Sequence, residues 1–216
     1  MKLTWNGHSC FTLETAEGSV VLDPYADGQV PGLAPLRLRA DMVLCSHEHR
    51  DHNAREVVTL TGNTPAFGVE TISTFHDPEN GALRGENTIH IISAEGMRVA
   101  HLGDLGCELT AQQKDRLHRV DVLMVPVGGY YTISAHQART LATPLFPRII
   151  IPMHYRSATA GYRFGYDVLG LLGNFTSVCP RESLVYYKGN TMEITKSTPG
   201  QTAILTYCPA PEKTPD

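Results

Sequence analysis

At 216 residues, 42% hydrophobic and 19% charged, the chain suits one large domain over 1–216, and no composition shift or Ser/Gly-rich linker divides it. The net charge of −4, the pI near 6.2 and the scattering of 18 Lys and Arg residues argue against nucleic acid or an anionic membrane surface as partner. Five cysteines (Cys10, Cys45, Cys107, Cys179, Cys208) are odd in number and never spaced C-x-x-C, which disfavours a disulfide framework or a thiolate zinc site. The N-terminus lacks the apolar core of a signal peptide and no run approaches membrane-spanning length, so the expectation is a cytoplasmic protein with no membrane partner.

In chain order, short β-prone runs at 2–5, 10–14, 20–22 and 42–45 alternate with turns at Asn6-Gly7, Glu17-Gly18 and Asp23-Pro24, predicting a meander that opens a sheet. Three capping patterns follow, Asn53 with Glu56, Thr110 with Gln113 and Ser134 with Gln137, and predict helices near 54–60, 111–118 and 135–142. Strands are expected between them at 71–75, 87–92, 98–102, 122–126 and 149–153, then a β-rich tail at 184–187, 192–195 and 203–207. Such alternation means a layered α/β fold. Residues 209–216 read as a frayed terminus.

The chemistry is concentrated in Ser46-His47-Glu48-His49-Arg50-Asp51-His52. In an extended segment residues 47, 49 and 51 project to one side, and a turn at 51–52 re-aims the last pair. His47 and His49 can then grip one ion while Asp51 and His52 grip a neighbour, which points to metal-assisted hydrolysis. Four predicted strands run into further candidates: 43–46 into His47, 72–75 into His76, 99–103 into Asp104 and 149–153 into His154. Strand ends gathered on one edge of a sheet are where α/β proteins place their sites. His8, His90, His118 and His136 fit no such position and read as structural or surface residues, and alternation sends His101 to the face opposite Asp104, in a packing or supporting role.

These residues, with Trp5-Asn6-Gly7-His8-Ser9, His101-Leu102-Gly103-Asp104, Pro126-Val127-Gly128-Gly129 and Pro152-Met153-His154, resemble the metallo-β-lactamase fold superfamily nearly end to end. The resemblance is to its zinc-dependent hydrolase-like branch, related to ascorbate-phosphate lactonase and to N-acyl-phosphatidylethanolamine phospholipase D. It implies a four-layer αβ/βα sandwich with two metals at one edge. His47, His49 and His76 would hold the first ion, Asp51, His52 and His154 the second, and Asp104 would bridge them, with Asp51 and Asp104 as the carboxylates serving catalysis. True β-lactamases have Cys where Asp104 stands and are exported, flavodiiron members carry a carboxylate at the position of His49 and an added flavin domain, and RNA-processing members use an RNA-gripping arm. None of these patterns is met here.

Five neutral imidazoles and two carboxylates around two divalent ions leave a formal charge of about +2, in a sphere that favours zinc and also accepts manganese or iron. A bridging hydroxide would attack a small, anionic ester, lactone or phosphodiester. A non-catalytic sensor of an anionic metabolite and a nuclease are the alternatives. Two loops are candidates for reading the substrate. In Val127-Gly128-Gly129-Tyr130-Tyr131 the glycines allow close backbone approach, and the amides either bind an anion or only form a tight turn. Residues 155–166 follow His154, and their Arg156, Arg163 and tyrosines form a lid or a plain surface loop; Arg84, after His76, is a third candidate.

Overall fold

The computed structural model describes residues 1–158 and 163–209. Residues 159–162 of the expected lid, and 210–216 of the expected frayed tail, lie outside the described residues.

The chain opens with β1 (Lys2–Gly7), β2 (Cys10–Thr15) and β3 (Gly18–Leu22), then β4 (Leu38–Ala40), β5 (Met42–Leu44), β6 (Val58–Leu60), β7 (Gly68–Phe75), β8 (Glu86–Ala94) and β9 (Met97–His101). Helix α1 (Ala111–Leu117), β10 (Val122–Pro126), α2 (Ala135–Leu145), β11 (Ile149–Met153), α3 (Leu172–Thr176), β12 (Leu184–Tyr186), β13 (Thr191–Glu193) and β14 (Gln201–Ile204) complete it. A five-stranded sheet runs β13-β1-β2-β3-β5, a seven-stranded sheet runs β12-β14-β11-β10-β9-β8-β7, and β4 and β6 form a small parallel pair.

The two sheets follow from patterning. β1 buries every second residue, including Leu3 and Trp5, as a strand with one face on a core does. β10 and β11 are buried at every position and pair in parallel, the continuous apolar run of strands covered on both faces. α1 and α2 each begin with a complete capping box, at Thr110 with Gln113 and at Ser134 with Gln137, and α2 buries the stripe Ala135, Ala138, Ala142 and Leu145. The apolar core is continuous from Leu3, Phe11 and Leu22 of one sheet to Ile91, Val99, Leu123 and Ile151 of the other.

One expected helix is absent. Residues 55–57 make a single 3-10 turn with no side-chain cap, after which β6 pairs with β4. Asn53 turns its amide to Glu48 and Glu56 pairs with Arg50, so neither member of the supposed capping box serves the backbone. Val57-Val58-Thr59 is β-branched throughout and favours the extended pairing. All five cysteines are free, and among the described residues no helix is long and apolar enough to cross a membrane.

Candidate metal centre

Donors reach one edge of the sandwich from both sheets. β5 ends two residues before Ser46-His47, β7 ends at Phe75 before His76, β9 ends at His101 before Leu102-Gly103-Asp104, and β11 ends at Met153 before His154. Residues 47–52 are bends and turn rather than extended chain: the His49 carbonyl accepts from the amides of both His52 and Asn53, each at 2.9 Å. This turn swings His52 back under His47, ring centroids 4.4 Å apart, while His49 stays exposed at the rim, 4.7 Å from His47 and 5.2 Å from His76.

Asp104 occupies the middle. Its Oδ2 lies 3.1 Å from Nε2 of His154, 3.2 Å from those of His52 and His76, and 4.0 Å from that of His47. Ligand atoms of His47, His49 and His76 form one close group, those of Asp51, His52 and His154 fall in a second with His8, and His47, His52 and Asp104 join the two. All seven sequence-predicted donors are therefore brought together.

The donors fit cations. His47 Nε2, His52 Nε2 and Asp104 Oδ1 are buried with no hydrogen-bond partner among the described residues, a costly arrangement for lone pairs unless a positive charge meets them. Burial opposes charge on His52, yet Asp104 and Asp51 beside it raise its pKa well above the usual value; the carboxylates hold positive charge at that spot. Burial holds His47 neutral, with its pKa lowered to about 3, in the form that can donate a lone pair.

Two participants escaped the sequence reading. Asp23, one residue past β3, is fully buried and accepts from Ser46 N (2.7 Å), Ser46 Oγ (2.6 Å) and His52 Nδ1 (2.8 Å). Ser46 Oγ in turn lies 2.9 Å from His47 Nδ1. Asp23 thereby fixes the Nδ1–H tautomer of His52 directly and of His47 through Ser46, turning both Nε2 lone pairs to the centre. Burial works against the Asp23 charge, but His101 and His52 outweigh it and hold its pKa below the carboxylate range. His8, one residue past β1, is the second: it is wholly buried and its ring centroid lies 4.3 Å from that of His154, so it is neither a surface residue nor remote from the site. Both follow a strand end, the rule that found the other donors.

His101 plays the supporting part expected of it, with Nε2 donating to the Ser9 carbonyl at 2.8 Å and Nδ1 3.9 Å from Asp23. His76 is oriented by its Nδ1–H donating to the Tyr131 carbonyl at 3.1 Å. His90 Nε2 lies 3.1 Å from the Cys45 carbonyl, and His118 and His136 are exposed.

The substrate candidates divide. Gly128 meets the backbone of His154, where a Cβ would strike the carbonyl oxygen, so its lack of a side chain seats a donor. The Gly129 amide donates to the Ile133 carbonyl at 3.2 Å and is not free for an anion; Tyr130 is exposed. Arg156 does not face the donors: it meets Asp167 at 3.5 Å and lines a cavity of about 620 Å³ with Trp5, Tyr155, Leu171 and Tyr207 that contains none of them. Arg163 is exposed, its carbonyl against Gly32. Arg84 is better placed, its guanidinium 5.5 Å from the Tyr131 ring, which lies 6.1 Å from that of Tyr166. The Tyr166 hydroxyl lies 3.1 Å from both Asp51 Oδ2 and the Gln29 carbonyl, two acceptors for its one hydrogen, so within the expected lid this tyrosine, rather than either arginine, reaches the site.

The model of the β-lactamase superfamily domain matches residues 2–154, the span that carries every donor. The chain belongs to the metallo-β-lactamase superfamily and to its metal-dependent hydrolases. A metal-dependent hydrolase from Archaeoglobus fulgidus is 29% identical over 195 residues, covering 73% of this chain and 84% of that one. Another from Thermoplasma acidophilum is 27% identical over 191 residues, covering 73% and 84%. The crystal structure of a candidate zinc-dependent hydrolase of the superfamily from Thermotoga maritima superposes with a TM-score of 0.72 at 31% identity, over 94% of this chain and 97% of that one.

Proposed function

We propose that the protein is a dinuclear metal-dependent hydrolase of a small, anionic ester, lactone or phosphodiester. The observation that carries this reading is the position of Asp104 Oδ2, between 3.1 and 4.0 Å from imidazole nitrogens of His47, His76, His52 and His154. One carboxylate oxygen so placed suits a bridge between two cations. His47, His49 and His76 would hold the first ion and Asp51, His52 and His154 the second, zinc by the imidazole-rich donor set, with manganese or iron also compatible. Such ions would lower the pKa of a water to about 7 and polarise the scissile group.

The chain's own residues do the rest. Asp23 and Ser46 orient His52 and His47, the Tyr131 carbonyl orients His76, and the Tyr166 hydroxyl stands within hydrogen-bond reach of Asp51. Burial of His52, His76, Asp104 and His154 keeps bulk water from the floor, while exposed His49 leaves the approach on the first side open. Arg84, over the Tyr131 ring, supplies the cation that would select an anionic substrate. The five unpaired thiols support action in the cytoplasm.

Elemental analysis after reconstitution, with turnover of simple esters and bis-nitrophenyl phosphate in zinc or manganese, tests the proposal. Two ions per chain and metal-dependent turnover are expected. A ceiling of one ion refutes the dinuclear centre; two ions without turnover of any ester, lactone or phosphodiester refutes the hydrolytic assignment to those bonds.

A further inference from the structure

His8 is held in place at visible cost. β1 ends at Gly7, whose φ of 105° turns the chain, and His8 follows with φ of 51°, a left-handed conformation unusual for a residue with a β-carbon. The conformation is pinned from both sides, as Trp5 Nε1 donates to the His8 carbonyl at 2.9 Å and the His154 amide to the same oxygen at 3.4 Å. The side chain is 0% exposed, yet neither ring nitrogen has a hydrogen-bond partner among the described residues. A residue needed only to fill space would be apolar here and escape that desolvation penalty.

The ring is aimed. His8 Nε2 lies 3.4 Å from Asp51 Oδ2, an ion-pair contact too poorly aligned for a good hydrogen bond, and the donor atoms of His8, Asp51, His52 and His154 all fall within 4.8 Å of one another. Two ligands bound about 2.1 Å from one ion at angles of about 90° to 120° stand about 3.0–3.6 Å apart, and 3.4 Å falls within that span. The centroid of His8 is 4.3 Å from that of His154 and 5.1 Å from that of His52, so it adjoins both other imidazoles of the second group.

We infer that His8 is a further ligand of the second ion, alongside Asp51, His52, His154 and the shared Asp104; this rests on the dinuclear reading above. The second position then has five protein donors and the first has four. A position so enclosed suits a cation of coordination number five or six and leaves little of it open to substrate. Substrate would engage the first ion, on the side where His49 is exposed. The two positions differ accordingly, the second serving to hold and the first to exchange.

The test compares wild-type protein with His8→Asn. Asparagine tolerates the left-handed backbone, so the turn is kept, but its side chain is too short to reach the ion. Chelator-competition titration with zinc and with manganese should show the second ion bound more than about a hundredfold more weakly in His8→Asn, beyond the 10- to 100-fold typical of losing an outer partner, and the first ion changed less than about tenfold. Circular dichroism and melting of the metal-free protein report whether the variant folds. A metal-loaded crystal structure of the wild type needs no variant and should place His8 Nε2 about 2.0–2.2 Å from the second ion. Two ions bound with His8 Nε2 beyond about 3 Å, or His8→Asn holding both at wild-type affinity, overturns the inference and leaves the dinuclear centre standing. A wild-type ceiling of one ion instead overturns the reading on which it rests.

Discussion

Asp23→Asn is the substitution that best separates a built metal centre from a mere cluster of histidines, because it changes one atom and leaves the shape. Asp23 Oδ1 accepts from the Ser46 amide, which cannot rotate, so the amide oxygen of an asparagine must stay there and its NH2 must replace Oδ2. Oδ2 takes both Ser46 Oγ at 2.6 Å and His52 Nδ1 at 2.8 Å. An NH2 in that position faces the His52 Nδ1–H as donor against donor, and the ring escapes only by moving its proton to Nε2, where the lone pair is needed. Ser46 Oγ, now accepting from the amide, points its own hydrogen at His47 Nδ1 and drives that ring the same way. One ligand of each ion is thus put in the wrong tautomer. Loss of such a partner costs 10- to 100-fold in affinity, about 1.4–2.7 kcal/mol for each ion. Chelator-competition titration of both ions should register both losses, while Ser46→Ala, which removes only the link to His47, should weaken the first ion alone. Both ions of Asp23→Asn within threefold of wild type would show that Asp23 sets neither tautomer.

Four further outcomes follow from the same geometry. Asp104→Ala should lose metal and activity while His118→Ala, on an exposed surface, changes neither; wild-type metal content in Asp104→Ala would remove the bridge. Gly128→Ala forces a Cβ onto the His154 carbonyl and should destabilise the fold by about 1–3 kcal/mol and weaken the second ion, measured by melting and titration; an unchanged variant would mean that the loop yields freely. Arg84→Ala should raise KM for an anionic ester by about ten- to a hundredfold over its effect on a neutral one, the worth of one charge-assisted contact; an equal effect on both refutes it as the selecting cation. The hydrogen bonds from Thr61 and Ser19 lower the Asp41 pKa from 3.8 to about 2, so its contribution to stability is present above about pH 4 and lost as pH falls toward 2. Asp41→Asn should melt lower at pH 7 and show a shallower acid decline; parallel melting curves down to pH 2 would contradict that linkage.

Local chemistry was legible where one signal acted alone. Val122–Pro126 and Ile149–Met153 were readable to the residue because both faces are buried, and Thr110 and Ser134 because their capping boxes meet no competitor. The same pattern at Asn53 failed since Glu56 had a nearer arginine and the following β-branched residues had a strand to join. β4, β6 and α3, at three to five residues each, are too short to show a period. In the site, 46–52 announced itself by density of donors, whereas His8 and Asp23 are single residues at strand ends, visible only if every strand end is given equal weight. Arg156 misled by adjacency: two residues past His154, its side chain lines a different cavity, while Arg84, distant in sequence, stacks over Tyr131, whose carbonyl holds His76.

The donors come from two sheets that share no strand. His8 and residues 47–52, with Asp23 that orients them, follow β1, β5 and β3 of the five-stranded sheet, and His76, Asp104 and His154 follow β7, β9 and β11 of the seven-stranded one. Ions held among them would tie the halves of the sandwich together at that edge, as a cross-link does, and binding at a hundred times the dissociation constant would add about 2.7 kcal/mol per ion to global stability. Chelation should therefore do more than silence chemistry: it should unfasten the seam, so that amides near residues 8, 47–52 and 154 exchange with solvent first while the far ends of the sheets stay closed.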